Sequence, residues 1–219
     1  MKINKNLGRL LALLSTALIV ATSAQAALLG RDINGNAVAG SDASSVFLYD
    51  TDLNITWLRD ANINGSMNWA DANTWASGYS IGIYDDWRLP TALNADGSGP
   101  CGPAFNCTGS EMGHLWYTEL GNTAGSLTNT GDFLNIQTDP AVLTFLYWSG
   151  TELASDPRFA WDFRSYDGAQ DHHHKSLEVS AMAVRDGDVL ATQVPEPKSF
   201  LLALTALGAL ALVRRRRTV

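Results

Sequence analysis

The segment Val46–Asp60, VFLYDTDLNITWLRD, contains the clearest pair of strands in this chain. Val46–Tyr49 and Ile55–Leu58 are rich in β-branched and aromatic residues, which favour strands. The polar segment 50–54 between them is typical of a turn. The sequence therefore predicts two strands joined by a turn.

A helix is predicted downstream of this strand pair, from about Asn68 to about Gly78. Its apolar side chains recur at helical spacing, with Trp75 beside the apolar face. The residues on that face are Trp69, Ala72 and Ala76.

A second helix is predicted after Thr108-Gly109-Ser110-Glu111, a sequence that fits a capping box. Gly121 can end this helix, because glycine readily adopts the left-handed conformation of a helix C-terminus. The apolar residues that share one face are Met112, Leu115, Trp116 and Leu120.

Beyond the second helix the pattern indicates mostly strands, at Phe145–Ser149, Phe159–Phe163 and Leu177–Arg185. A polar loop around Asp167-Gly168 is predicted to join the last two. The sequence thus predicts a single α+β domain with short strands and two helices, spanning 27–193. Those 167 residues are enough to bury one full core.

The N-terminal segment 1–26 has the pattern of a secretory signal peptide. Lys2, Lys5 and Arg9 precede the apolar stretch Leu10–Ala21, and Ala24-Gln25-Ala26 has small residues at the positions that signal peptidase requires. The stretch is too short to span a bilayer as a permanent helix. We expect export through the Sec machinery and cleavage before Ala27.

The C-terminal segment 194–219 has three parts: a Pro-containing motif, an apolar run over 200–213, and a cluster of four arginines. The motif consists of Val194, Pro195, Glu196 and Pro197, and the basic cluster of Arg214, Arg215, Arg216 and Arg217. Fourteen apolar residues span about 21 Å as a helix, less than the roughly 30 Å of a bilayer core, and the arginines favour the cytoplasmic side.

This three-part tail resembles the PEP-CTERM sorting signal of Gram-negative bacteria. The resemblance implies that a membrane-embedded exosortase removes the tail, after an inner-membrane intermediate, and releases the protein to the cell surface or extracellular matrix. An ordinary tail anchor that is never cleaved is the alternative, because a short span can tilt or thin the bilayer.

The segment 27–193 is strongly acidic. It has seven Lys and Arg against 21 Asp and Glu, a formal net charge of −14. Nucleic acid is excluded as a partner, because its phosphates require a basic surface. Unassisted binding of anionic polysaccharide is disfavoured, although divalent cations could bridge the two surfaces.

Cys101 and Cys107 are the only cysteines in the chain. In an exported protein, two cysteines this close in a Gly- and Pro-rich segment predict a small disulfide-closed loop. A redox-active or copper-binding pair is the alternative.

Several motifs in chain order are similar to the Lcl C-terminal-like domain, the tip domain of a bacterial collagen-like adhesin. They are Tyr49–Asp60, 67–72 (MNWADA), 86–91 (DWRLPT), 147–152 (YWSGTE), 160–163 (AWDF) and 183–185 (AVR). The resemblance implies a C-type-lectin-like α+β fold and a role in surface attachment or ligand binding. It implies no catalytic residues.

The motif tryptophans Trp87, Trp148 and Trp161 are predicted to lie in the core, because aromatic residues in strand motifs normally do. An exposed tryptophan could instead stack on a sugar ring. Arg88 is expected to pair with Asp85 or Asp86.

The segment from Asp60 to Asp71 fits the ligand spacing of an EF-hand-type calcium loop, with Gly65 at the sharp turn. The candidate ligands are Asp60, Asn62, Asn64, Ser66 through its carbonyl, Asn68 and Asp71. Asp71 stands where a longer Glu is usual, so the predicted affinity lies in the extracellular range of about 0.1–1 mM. An Asn-Gly turn leading into a helix is the alternative.

Other candidate groups carry weaker patterns. Glu111 and His114 lie three apart and could share a metal, whereas 172–174 (HHH) is expected to form a solvated loop. Asp85 with Asp86, or Glu152 with Asp162, could form a glycosidase pair. The sequence contains no nucleophile elbow, zinc-protease motif or phosphate-binding glycine loop.

These observations predict an exported, surface-sorted protein that is not an enzyme and that binds a ligand, such as a carbohydrate, in adhesion or biofilm matrix. Its membrane contact is expected only through the sorting tail. A secreted hydrolase that uses a carboxylate pair and a purely structural surface component are the alternatives.

Overall fold

The computed structural model describes residues 28–190. The predicted signal peptide (1–26) and sorting tail (194–219) lie outside the described residues. Within 28–190, no helix is both long enough and apolar enough to cross a membrane.

The first sheet has five antiparallel strands in the order β2-β1-β3-β4-β8. They are β1 (Leu28–Asp32), β2 (Ala37–Val38), β3 (Ser45–Asp50), β4 (Ile55–Leu58) and β8 (Val184–Asp186). Both strands predicted in Val46–Asp60 are confirmed as β3 and β4.

The turn between β3 and β4 is held by the carboxylate of Asp50. Its Oδ1 accepts hydrogen bonds from the backbone amides of Asp52 (3.0 Å) and Leu53 (2.9 Å). Asn54 completes the turn with a left-handed φ of 53°, which asparagine tolerates better than most residues. The turn fixes the direction of the second Asp50 oxygen.

The second sheet has three antiparallel strands in the order β5-β6-β7. They are β5 (Leu146–Glu152), β6 (Phe159–Arg164) and β7 (Gln170–His174). The predicted strands at Phe145–Ser149 and Phe159–Phe163 are confirmed. The prediction of a solvated loop at 172–174 was wrong, because these histidines belong to β7 and pair with β6.

The predicted strand Leu177–Arg185 was wrong for most of its length, since only Val184–Asp186 forms a strand. Before that, the segment makes only isolated bridges, from Val179 to Met67 and from Ser180 to Tyr147. Its alternating side chains enter two different core clusters, which explains the strand-like pattern.

The first predicted helix is confirmed as α1 (Trp69–Gly78). Asn68 caps it, because its side chain accepts a hydrogen bond from the Asp71 amide at 3.1 Å. Ala72 and Ala76 on its predicted face are fully buried.

The second helix is shorter than predicted and changes character. It is α2 (Glu111–His114), which continues into a π-helical turn, Leu115–Glu119. Ser110, not Thr108, is the N-cap, and it accepts from the Gly113 amide at 3.2 Å. The four apolar residues predicted to share a face are buried in one core cluster.

Two core clusters hold the domain together. Trp87 and Trp148 lie in the first, and the second contains Trp57 and Trp116. The prediction that Trp87, Trp148 and Trp161 are core residues is confirmed, since all are at most 5% exposed. The domain is mixed α and β, with two helices and two antiparallel sheets, which is compatible with the predicted α+β class.

The predicted disulfide between Cys101 and Cys107 is confirmed. The loop that it closes is attached to the second sheet, because Ala104 pairs with Gln170 and the Gln170 side chain donates to the carbonyl of Cys101 at 2.8 Å.

Candidate functional site

Two adjoining clefts open on one side of the domain, with volumes of about 490 and 430 Å³. They share Arg88, Thr91 and Leu93, so this short segment forms the ridge between them. Both volumes are in the range of small-ligand sites. The larger cleft is lined further by Leu53, Asn54, Ile55, Asn94, Ala95, Gly97, Gly109, Glu111 and Asp186, and the smaller by Asn73, Leu89, Gly150 and Thr151.

Arg88 is the cation of the ridge, and its charge is already balanced. Its guanidinium forms a two-point ion pair with Glu111 at 2.7 and 2.8 Å and a further contact with Asp186 at 2.7 Å. The hydrogen bond to Glu111 raises the pKa of Arg88 above its ordinary range. The predicted pairing of Arg88 with Asp85 or Asp86 was wrong, because Asp86 pairs with Arg185 instead.

Hydrogen bonds from backbone amides and threonine hydroxyls hold the ridge in place. The Thr91 amide donates to Glu111 at 2.7 Å, and the Thr91 and Thr151 hydroxyls lie 3.2 Å apart. The amide of Ala92 donates to the Thr151 hydroxyl at 3.0 Å. The ridge is therefore preorganised, with both hydroxyls at the edge of open space.

Among the described residues, every Lys and Arg is already engaged. Six of the seven form ion pairs with carboxylates. The seventh, Arg59, is buried and donates to backbone carbonyls of Asp42, Ser45 and Asp132. The described surface therefore offers no unpaired cation to an anionic polymer.

None of the seven tryptophans, all of which lie within 28–190, is exposed. Five are buried, whereas Trp69 and Trp75 on α1 are half-buried. The ammonium of Lys175 lies 3.9 Å from the ring centre of Trp69, and Trp75 packs against Tyr79. The accessible sides of both indoles are thus partly covered, which disfavours sugar stacking at these positions.

The predicted calcium loop has hydrogen bonds of its own. Asp60 accepts from the Asn62 amide and from the Asn135 side chain, both at 3.0 Å. Gly65 has the left-handed φ of 69° that the turn requires. At the other end of the loop, Asn68 and Asp71 bind each other at 2.6 Å.

Calcium binding by this loop stays a prediction. The remaining candidate ligands lie on or near the surface: Asn64 and Ser66 are exposed, and Asn62 is half-buried with its oxygen 3.5 Å from the Ser180 hydroxyl.

Glu111 and His114, predicted as a possible metal pair, serve different parts of the structure. Glu111 binds Arg88, whereas His114 points to Glu119 and to Asp50 at the end of β3. The sequence did not predict this three-residue cluster. The only sequence signal is that His114 and Glu119 are five residues apart. Residues at this spacing lie one turn apart only in a π-helix.

The carboxylates proposed for a glycosidase pair mostly have cationic or imidazole partners. Glu152 binds Lys175, and Asp86 binds Arg185, which lowers the pKa of Asp86. Asp162 is fully buried and lies 2.6 Å from His173 Nδ1. No open carboxylate pair is therefore formed by these four residues.

The histidines of β7 alternate across the strand. His173 faces Asp162, and the hydrogen bond between them raises the pKa of the imidazole. His172 and His174 pack edge-on against the ring of Phe159 on the other side. The strand thus separates neighbouring imidazoles instead of gathering them around one ion.

The chain matches none of the protein-family models with which it was compared, and no curated protein is significantly similar to it.

Proposed function

We propose that this protein is an exported, surface-sorted, non-enzymatic binding protein that holds a neutral polar ligand, such as a segment of neutral polysaccharide, in the two adjoining clefts. The observation that carries the proposal is the preorganised ridge formed by Arg88, Thr91 and Leu93, with open clefts of ligand-binding size on both sides.

The chemistry of the clefts suits a ligand with many hydroxyl groups. Threonine hydroxyls and asparagine amides can both donate and accept hydrogen bonds. Leu53, Ile55 and Leu93 supply apolar surface for the carbon-bound hydrogens of a sugar ring. This mixture of apolar walls and a few placed polar groups is typical of small-ligand sites.

Electrostatics selects against anionic polymers. The domain has a formal net charge of −14, and its described cations are engaged, so anionic polysaccharide is repelled. Arg88, Glu111 and Asp186 together leave the ridge with one net negative charge. A neutral ligand meets neither repulsion nor an unpaired cation there.

The proposed route to the surface rests on the two terminal segments. Their patterns favour Sec export, signal-peptide cleavage and exosortase sorting at 194–197, and the Cys101–Cys107 disulfide is typical of an oxidising compartment. The Lcl C-terminal-like motifs favour a lectin-like fold and an adhesive role in a biofilm matrix.

The ligand proposal is tested with an array of neutral and anionic bacterial and host polysaccharides, using full-length chain in detergent. We expect saturable binding of a neutral glycan that Leu93→Arg abolishes, because Leu93 lines both clefts. Ile83→Arg is the matched control, since Ile83 is 88% exposed and lies outside both clefts. Binding that survives Leu93→Arg, or that is confined to anionic polymers, contradicts the proposal.

The sorting proposal is tested in exporting cells. A Pro195→Ala and Pro197→Ala double variant should accumulate at the inner membrane with its tail attached, while the parent chain reaches the surface shortened. Equal processing of the two chains contradicts exosortase sorting.

A further inference from the structure

Three polar side chains meet inside the domain. They are Asp50 at the end of β3, His114 at the end of α2, and Glu119 at the end of the π-helical turn. One ligand atom from each lies within 4.8 Å of the other two. We call these three residues the Asp50 cluster.

The π-helical turn creates the cluster. Its defining hydrogen bond joins the Leu120 amide to the Leu115 carbonyl at 2.9 Å, five residues back. The wider turn places Glu119 beside His114, with Oε1 at 3.5 Å from Nε2. In a regular α-helix, residues five apart point in different directions. Such turns occur frequently at functional sites.

The cluster is buried and its polar atoms are unsatisfied. The side chain of Glu119 is 1% exposed, Asp50 is fully buried, and His114 is 15% exposed. Both oxygens of Glu119, Oδ2 of Asp50 and Nε2 of His114 have no hydrogen-bond partner. Buried polar groups in folded proteins are nearly always paired, so four facing atoms without a protein partner favour a bound ion or ligand as their occupant.

The charge of the cluster indicates what that occupant is. Two ionised carboxylates carry a charge of −2, which is costly to bury. A divalent cation neutralises this charge and gives the facing atoms a partner. A single proton shared by the two carboxyl groups neutralises only half of that charge.

We infer that the Asp50 cluster binds a divalent first-row transition metal, with zinc as the type case. An imidazole nitrogen with two carboxylates suits zinc, manganese or iron, whereas calcium and magnesium prefer oxygen ligands alone. Nothing in this inference depends on the two clefts binding a ligand.

The dimensions fit such an ion after a small adjustment. Three atoms no more than 4.8 Å apart share a point within about 2.8 Å of each, which is 4.8 Å divided by √3. Zinc requires about 2.0–2.2 Å to nitrogen and oxygen, so each side chain must move inward by less than about 1 Å.

Asp52 can supply the fourth ligand. Its Oδ2 lies 3.9 Å from His114 Nε2, and its side chain is 48% exposed, at the mouth of the cluster. The metal would then bind two residues of the β3–β4 turn to two residues of the α2 and π-helical segment, far apart in sequence. Because it binds the folded chain preferentially, it should raise the free energy of unfolding.

The test uses full-length chain in detergent, stripped with a chelator and titrated with Zn²⁺. We expect one equivalent to bind and Tm to rise. The dissociation constant should increase about 100-fold or more in His114→Gln and in Glu119→Gln. A His172→Gln and His174→Gln double variant is the matched control for binding at β7, and it should still bind one equivalent.

X-ray absorption of the zinc-loaded parent chain keeps the test independent of any variant that folds poorly. One imidazole among oxygen ligands is the expected result, and two or more imidazoles would overturn the inference. It is also overturned if Zn²⁺ does not saturate a single site, if both cluster variants bind like the parent, or if the β7 double variant loses the ion. If Zn²⁺ has no effect on the parent chain, and metal-free Glu119→Gln is more stable than the parent, the cluster holds a shared proton instead of a metal.

Discussion

Two carboxylate–imidazole groups lie inside this domain, and they are built in opposite ways. In the β6–β7 pair, Asp162 and His173 meet at 2.6 Å, with one carboxylate for one imidazole. In the Asp50 cluster, two buried carboxylates face a single imidazole, and none of the four facing atoms has a hydrogen-bond partner. In the β6–β7 pair one buried oxygen, Asp162 Oδ1, lacks a partner, whereas four facing atoms of the Asp50 cluster lack one. The same residue types thus support a sheet in one place and indicate a binding site in the other.

The largest expected effect comes from removing the surplus charge of the Asp50 cluster. Burial, followed by the charges of Asp50 and Asp52, raises the pKa of Glu119 to about 7. Its protonated form is favoured in the folded state, and this stabilisation is lost as pH rises from 4.5 through about 7. At pH 8 without metal, Glu119→Gln should therefore increase the free energy of unfolding by about 2 kcal/mol, measured by urea denaturation.

With saturating Zn²⁺ the sign should reverse, because the parent chain gains the metal and Glu119→Gln does not. Glu178→Gln is the control, since Glu178 is exposed and should change stability by less than about 0.5 kcal/mol. A metal-free Glu119→Gln protein that is less stable than its parent would show that Glu119 has a stabilising partner.

A smaller effect should follow when the imidazole is removed from the β6–β7 pair, because a buried carboxylate is then left unpaired, as in the Asp50 cluster. His173→Leu leaves the Asp162 carboxylate buried without its partner, so we expect a loss of about 1–2 kcal/mol at pH 6. His174→Leu on the exposed side of the same strand should cost less than about 0.5 kcal/mol. Equal losses in chemical denaturation would mean that strand propensity, not the ion pair, determines the result.

The pH dependence of this pair gives a weaker but directional effect. The pKa of His173 is raised above 6.5, first by the hydrogen bond to Asp162 and then by the Asp162 and Asp171 charges, while burial and the Arg164 charge oppose the shift. The stabilisation is fully present below pH 6.5 and is lost as pH rises through the higher folded-state value. The difference in free energy of unfolding between parent and His173→Leu should therefore narrow as pH rises from 6.5 through the folded-state pKa of His173. A difference that stays constant with pH would contradict this prediction.

The smallest effect is expected in the Asp60–Asp71 loop. Asp60→Asn keeps an oxygen for the Asn62 amide, so without calcium it should change stability by less than about 0.5 kcal/mol. If the loop binds calcium as predicted, several millimolar Ca²⁺ should raise the Tm of the parent but not of Asp60→Asn. Zn²⁺ should raise the Tm of both, which separates the loop from the Asp50 cluster.

Local patterns predicted local structure well. The strand pair 46–58, the α1 helix with its Asn68 boundary and the Cys101–Cys107 disulfide all depend on residues close together in sequence, and all are confirmed. The pattern failed for β7, because its consecutive histidines carry no apolar signal, and their packing against Phe159 and Trp161 depends on a neighbouring strand.

The sites were less predictable than the strands. The sequence identified His114 but paired it with Glu111, as an α-helix would. Its structural neighbours come from the π-helical turn and from β3, 64 residues earlier. No local pattern signals a π-helical turn, and burial of Glu119 becomes apparent only when the second core cluster is assembled. The clefts likewise combine segments from across the chain.

The ion pair between Arg31 and Asp188 has a mechanical consequence. These residues lie near opposite ends of the described chain, and the guanidinium contacts both carboxylate oxygens at 2.7 and 3.0 Å. Strand β8 forms three residue pairs with β4, and Val184 exchanges two further backbone hydrogen bonds with Arg88. A pulling force applied beyond Leu190 would enter the domain at this short strand, and the ion pair would transmit part of the load to β1, three strands away in the sheet. A domain tethered by its C-terminal side would thus bear tension across the sheet instead of losing its last strand first.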